Sequence, residues 1–310
     1  MMPIREFSFG NALSHWSNTQ GPGGFLWKYA LAYGLATVAV LGVFLLLAGG
    51  AIMQFVSMSA QAPGGTVSDQ EALRMLGSLV PVFLLTIPLA ILFWVVFEGA
   101  LQRRYIRDEG FSLRISGDEG RLFVVGLLWL LTFIGLYLAV AIVLAIIAGA
   151  LGAMLGEAGI FLMIPLAIAG VVGFAWVVVR LSPASAMTIR DRKITFTSAF
   201  QASKGRFWQM FFAFIIMAII AYIVSLVLQL ILGAMIGGAM MTNPAIMNGT
   251  GDPEAMMAAL FSPSTLVMAG FVYFVMSAVQ GLIQFAWAGI PALAAKTDPN
   301  WTSGQADVFA

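Results

Sequence analysis

Glu98 and Arg180 are ionisable groups set into the ends of apolar runs, and each lies four residues after a tryptophan, Trp94 and Trp176 respectively. Equal spacing from equivalent tryptophans implies equal depth. One reading is therefore an ion pair, since charges inside membranes usually meet a partner rather than bear an uncompensated cost. A second reading has both side chains snorkel to the headgroups, and a third gives them a role in transport. Ser277, Gln280, Gln284 and Ala288 mark one face of the last apolar run, and Gln229 sits in the run before it. Such groups either line a substrate pathway or hydrogen-bond to neighbouring helices.

Little else in the sequence points to catalysis. Without cysteine there is no disulfide, thiolate metal site, haem attachment or cysteine nucleophile, and one histidine, His15, cannot build a multi-histidine metal site. No phosphate-binding glycine loop, paired-carboxylate site or nucleophile triad is visible, so no enzyme, cofactor or metal is expected. Met235, Met240, Met241, Met247, Met256 and Met257 gather around one connection. Thioethers are soft enough for Cu(I), but no histidine or cysteine assists them. A flexible apolar flap resting on the membrane, with Asp252-Pro253-Glu254 opening a short helix, is the preferred reading. Asn248-Gly249-Thr250 fits a glycosylation sequon, which matters only in a eukaryotic protein.

The elements that must position these residues follow from composition. Of 310 residues, 61% are hydrophobic and 9% charged, and the mean hydropathy is +0.96; soluble domains carry about 25% charged residues. This is the composition of an integral membrane protein. The net charge of +1 suggests no acidic or basic partner, nucleic acid included. A bilayer core of about 30 Å takes about 20 helical residues, and six segments qualify: roughly Phe25 to Phe55, Leu79 to Leu101, Leu122 to Leu151, Ile160 to Val179, Phe207 to Met235 and Thr265 to Ala295. They are solid apolar runs without the alternation of an outer-membrane barrel, so an all-α polytopic bundle is expected. The first run is too long, and its leading tail too polar, for a cleavable signal. Pro88 and Pro165 lie inside spans, where they are expected to kink the helices. Gly233 and Gly237 form a GxxxG.

Orientation follows from lysine and arginine, which concentrate in cytoplasmic loops. The N-terminal tail and first helix start hold Arg5 and Lys28. The second-to-third connection holds Arg103, Arg104, Arg107, Arg114 and Arg121, and the fourth-to-fifth holds Arg180, Arg190, Arg192, Lys193, Lys204 and Arg206. With Lys296 in the C-terminal tail, all but Arg74 of the 15 basic residues fall on one side. Both termini are expected in the cytoplasm.

The two long basic connections also echo each other. WVVFEGALQRRYIRDEGFSLRISGDEGRLF begins at Trp94 and WVVVRLSPASAMTIRDRKITFTSAFQASKGRFW at Trp176, so Trp-Val-Val, Ile-Arg-Asp and Gly-Arg recur in order. A weaker third copy starts where Phe174-Ala175-Trp176 returns as Phe285-Ala286-Trp287. An even number of spans per unit preserves orientation, so three parallel two-helix hairpins are expected. Ser116-Gly-Asp-Glu119 and Ser198-Ala-Phe-Gln201 both have the capping-box form. The second would open a short interfacial helix carrying Phe200, Phe207, Trp208 and Phe211, and Phe9, Leu13 and Trp16 suggest a similar helix in the N-terminal tail.

An Arg closing a span, then Pro, a turn and Ser-Ala-Phe-Gln-Ala-Ser-Lys-Gly-Arg-Phe-Trp resembles the membrane domain attached to glycerophosphoryl diester phosphodiesterases, and related stand-alone bacterial inner-membrane proteins. The likeness covers most of the chain and is specific in the basic connections. It implies a helical inner-membrane domain without catalytic residues of its own, because in those phosphodiesterases the chemistry sits in a separate soluble barrel. The expected organisation is a cytoplasmic tail with an interfacial helix (1–24), a six-span membrane domain (25–295) and a cytoplasmic tail (296–310). The expected function is a non-enzymatic scaffold that organises lipids or partner proteins, or assembles with itself; the alternative is a small-molecule or lipid transporter. Arg103, Arg104, Arg107, Arg190, Arg192, Lys193, Lys204 and Arg206 would form a belt for anionic headgroups, each cation contributing about 1 kcal/mol near the surface.

Overall fold

The computed structural model describes residues 6–61, 69–155, 159–241, 262–299 and 301, and among these it is helical with no strand. Met247, Met256, Met257, Asp252-Pro253-Glu254, the Asn248 sequon, Glu157, Arg5 and most of the C-terminal tail lie outside the described residues.

A short helix α1 (Phe9–Ser14) runs into a 3-10 turn (His15–Asn18). The long helices are α2 (Phe25–Gln61), α3 (Asp69–Arg107), α4 (Gly117–Leu155) and α5 (Gly159–Leu181). Two short helices follow, α6 (Ala184–Asp191) and α7 (Ala199–Ala202), and then the long α8 (Phe207–Met241) and α9 (Pro263–Lys296). Six of these helices are long and apolar enough to cross a membrane. An apolar run must be helical there because hydrocarbon offers no partner for backbone amides, and a helix satisfies them internally. Pro88 and Pro165 lie inside continuous helices.

The helices outrun their apolar cores. α3 continues past Leu101 through Gln-Arg-Arg-Tyr-Ile-Arg, mostly good helix formers, with Arg104 and Arg107 in its last turn beside the negative end of the helix dipole. Those arginines, expected in a connecting loop, are therefore carried on rigid helix. The capping box at Ser116 forms: the Glu119 carboxylate accepts from the Ser116 amide at 2.9 Å and from its hydroxyl.

The chain forms two compact units. One comprises Met1–Gly23, Val95–Met217 and Ala286–Ala310; the other comprises Gly24–Trp94 and Ala218–Phe285. The first gathers the arginine-bearing helix ends with α4 to α7. Its apolar core joins Ala12 and Val179 to Met210, Ala213 and Met217 of α8 and to Ile290, Leu293 and Ala294 of α9, with Phe7 and Leu13 packed against it. The N-terminal helix is thus a docked part of this unit. Ser8 caps it by accepting from the Asn11 amide at 3.2 Å, Ala12 is buried, and Phe9 and Trp16 remain exposed. In the second unit, aromatic rings pack along α2: Phe25 on Tyr29 and Phe285, Tyr29 on Tyr33, and Tyr33 edge-on to Phe93 at 5.0 Å. Gly281 admits the Tyr33 side chain against the α9 backbone; a Cβ there would stand 3.0 Å from the Tyr33 Cβ and 3.1 Å from the first ring carbon.

The second connection differs from its expected form. Ser198 makes no side-chain cap, α7 is a single turn, and the chain reverses through Gly205, at φ +75°, before α8 begins at Phe207. A backbone with positive φ suits glycine, which has no Cβ to clash. The aromatics Phe207, Trp208 and Phe211 accordingly belong to the start of the fifth span, and no separate interfacial helix carries them.

Candidate functional site: a closed arginine cluster

Helix C-termini leave carbonyls without intrahelical donors, and a guanidinium can answer several of them at once. The first unit uses its arginines in this way. Arg107, from the last turn of α3, donates to the Ile189 carbonyl near the end of α6. Arg190, on α6, donates to the Ala295 carbonyl near the end of α9 and pairs with Asp191 at 2.6 Å and with Asp298 at 3.6 Å. Arg206, just ahead of α8, donates to the carbonyls of Ala294 at 3.3 Å and Thr297 at 2.6 Å and to the Thr297 hydroxyl at 2.9 Å. Burial pulls the Arg206 guanidinium below its usual pKa, and the Asp298 carboxylate opposes that shift. Three arginines thereby close two helix ends.

Around the end of α3 the same residue type is met by carboxylates. Arg103, 1% exposed, pairs with the equally buried Glu119 and donates to the Ser112 carbonyl. Arg107 pairs with Asp118 at 2.6 Å, and Arg121 reaches the same carboxylate at 2.8 Å. Glu109 takes Arg114 at 3.0 Å and also faces Arg103 at 3.5 Å. Gly99 makes room: a Cβ at that position would stand 2.6 Å from the Glu119 carboxylate and 3.2 Å from the Arg103 guanidinium. Arg104 donates to the carbonyls of Pro22 and Glu109, which fastens the N-terminal segment.

Glu98 and Arg180, the candidate ion pair, do not bond to each other among the described residues. The Glu98 carboxylate accepts from the Gln102 amide at 2.9 Å. Arg180 folds over α7, donating to the carbonyls of Phe200 at 2.7 Å and Ser203 at 3.2 Å, with its guanidinium 5.7 Å from the rings of both Trp176 and Phe200. The reason lies in the break after α5. Ser182 and Pro183 end that helix, and the α7 turn offers Arg180 nearby carbonyls, which it uses in place of the Glu98 carboxylate.

The expected headgroup belt divides in two. Arg103, Arg104 and Arg190 are buried, and Arg107 and Arg206 are half-buried; all five spend donors within the protein. Arg192, Lys193 and Lys204 are exposed. The polar residues of the last two spans separate as well. Gln284 is bound by the tyrosines of α2, its amide donating to the Tyr33 hydroxyl at 3.0 Å and its carbonyl accepting from Tyr29 at 3.5 Å. Ser277 is buried, whereas Gln280 and Gln229 stand on exposed faces.

Glu119, Asp118, Asp298, Thr297 and Gly99 complete the cluster, and none is singled out by sequence reasoning as a partner. Only Glu119 carried a signal, its place in a capping box, and that signal concerned a helix start and not an arginine.

Six apolar helices with a closed arginine cluster define an integral, multi-pass, all-helical membrane protein. Comparison of the chain with protein-family models, curated proteins and solved structures gives no match.

Proposed function

We propose that this protein is a non-enzymatic membrane scaffold whose basic end lies in the cytoplasm of a bacterial inner membrane and holds anionic lipid headgroups. On this reading it corresponds to the membrane domain of the phosphodiesterase-linked proteins that its basic connections resemble. The observation that carries the proposal is the division of the basic residues. The arginines that knit the helix ends together leave Arg192, Lys193 and Lys204 exposed, in a region that also exposes Ile194 and, at 65%, Trp208. Cations beside exposed apolar and indole side chains match the headgroup and acyl boundary of a bilayer. Arg192 follows α6 directly, its backbone in the left-handed region at φ +51°. Neutralising Lys193 and Lys204 to glutamine is expected to reduce the anionic lipid that co-purifies in mild detergent, measured by native mass spectrometry, without a change in melting temperature. Unchanged lipid content would refute the headgroup role.

A further inference from the structure

The second unit repeats one pair of residues on two helices. Tyr222 and Gln229 of α8, and Tyr273 and Gln280 of α9, are each seven residues apart, which is two helical turns on one face, and all four are exposed. Neither glutamine makes a hydrogen bond among the described residues. The same unit already uses tyrosine and glutamine to join helices, at Gln284 with Tyr29 and Tyr33. A primary amide facing hydrocarbon lacks the water that would otherwise satisfy its two donors and its acceptor.

The depths of the four residues match in a specific way. α8 leaves the basic end and α9 returns to it, and Arg206 ties the start of one to the end of the other through Thr297. Measured along its own helix from that end, at ~1.5 Å per residue, Tyr222 lies about 22 Å up α8 and Gln280 about 24 Å up α9. Gln229 and Tyr273 lie about 33 Å and 34 Å up by the same measure. Because the helices run in opposite directions, each tyrosine on one stands level with a glutamine on the other.

We propose that this face is the interface of a symmetric homodimer, in which α8 of one copy packs against α9 of the second. Tyr222 pairs with Gln280 of the other copy, and Gln229 with its Tyr273. A two-fold axis along the membrane normal keeps both copies in the same orientation and forms every contact twice, as an isologous interface requires. A second copy suits the site better than lipid tails, because it supplies a hydroxyl at the level of each amide. The proposal is independent of the headgroup role.

The chain contains no cysteine, so introduced thiols report contact without background. Tyr222→Cys and Gln280→Cys, co-expressed as differently tagged full chains and oxidised in native membranes, are expected to give a disulfide-linked dimer carrying both tags, with far less linking by either variant alone. Absence of the mixed dimer overturns the proposal, as does equal linking by one variant alone. The double variant Gln229→Leu/Gln280→Leu is compatible with a lipid-facing position. It is expected to lower the dimer-to-monomer ratio in native mass spectrometry on the order of tenfold or more, while the monomer keeps its melting temperature. An unchanged ratio, or a wild-type protein that is monomeric throughout, overturns it.

Discussion

The two basic connections divide their arginines differently between carboxylates and backbone carbonyls. Around the end of α3, arginines meet carboxylates: Arg103 with Glu119, Arg107 and Arg121 with Asp118, and Arg114 with Glu109. Between α5 and α8, Arg180 meets the carbonyls of Phe200 and Ser203 and Arg206 those of Ala294 and Thr297, while Arg190 joins the Ala295 carbonyl to the carboxylates of Asp191 and Asp298. A carboxylate partner is a side chain, so both halves of the interaction can be changed. A carbonyl partner belongs to the main chain and survives any substitution. The loss of Arg103 should therefore be repairable by a second mutation, and that of Arg206 should not.

Arg103→Met offers the sharpest test. It leaves the Glu119 carboxylate buried at 2% exposure without its cation, and losing one member of a buried pair costs about 3 to 5 kcal/mol. Adding Glu119→Met is expected to recover most of that loss in thermal unfolding of the detergent-solubilised protein, because the isolated buried charge is gone. Failure to recover would mean that the pair is not what stabilises this end. Arg206→Met should cost somewhat less, about 1.5 to 3 kcal/mol for charged hydrogen bonds withdrawn from partly buried carbonyls. Substituting Asp298 is expected to leave that loss in place, since the Ala294 and Thr297 carbonyls remain orphaned; a recovery would erase the contrast between the connections. Arg121→Gln is expected to have the smallest effect. Its side chain is 33% exposed and Asp118 keeps Arg107, so a change within about 1 kcal/mol is expected, shrinking as salt is added; a larger loss would mean that Arg121 also belongs to the closed cluster.

The contrast between the connections also marks where the sequence could be read. Ser116…Glu119 and Ser198…Gln201 share one pattern, yet only the first caps a helix. Glu119 carries a charge that satisfies both the Ser116 amide and Arg103, whereas Gln201 is exposed on a one-turn helix and is held by no cation among the described residues. Glu98 and Arg180 likewise stand at equal distances from their tryptophans. The helix runs on past Glu98 but ends just after Arg180, and the two side chains consequently find different partners. Similar order along the chain did not produce similar contacts, because Ser182-Pro183 interrupts one copy and has no counterpart in the other.

The membrane class, the helical architecture and the apolar cores of all six long helices were legible from residue order alone, though not how far α3 runs beyond its core. A solid apolar run of sufficient length must be helical in hydrocarbon wherever its neighbours lie, so it is a one-dimensional property. The destinations of the arginines belong to tertiary structure. Backbone carbonyls are chemically alike at every residue, and which of them Arg190 or Arg206 receives depends on which helix end folds beneath it. Only the packed first unit brings Ala295 and Thr297 within reach, and in doing so it withdraws from the bilayer surface most of the charge that the sequence had seemed to offer to lipid.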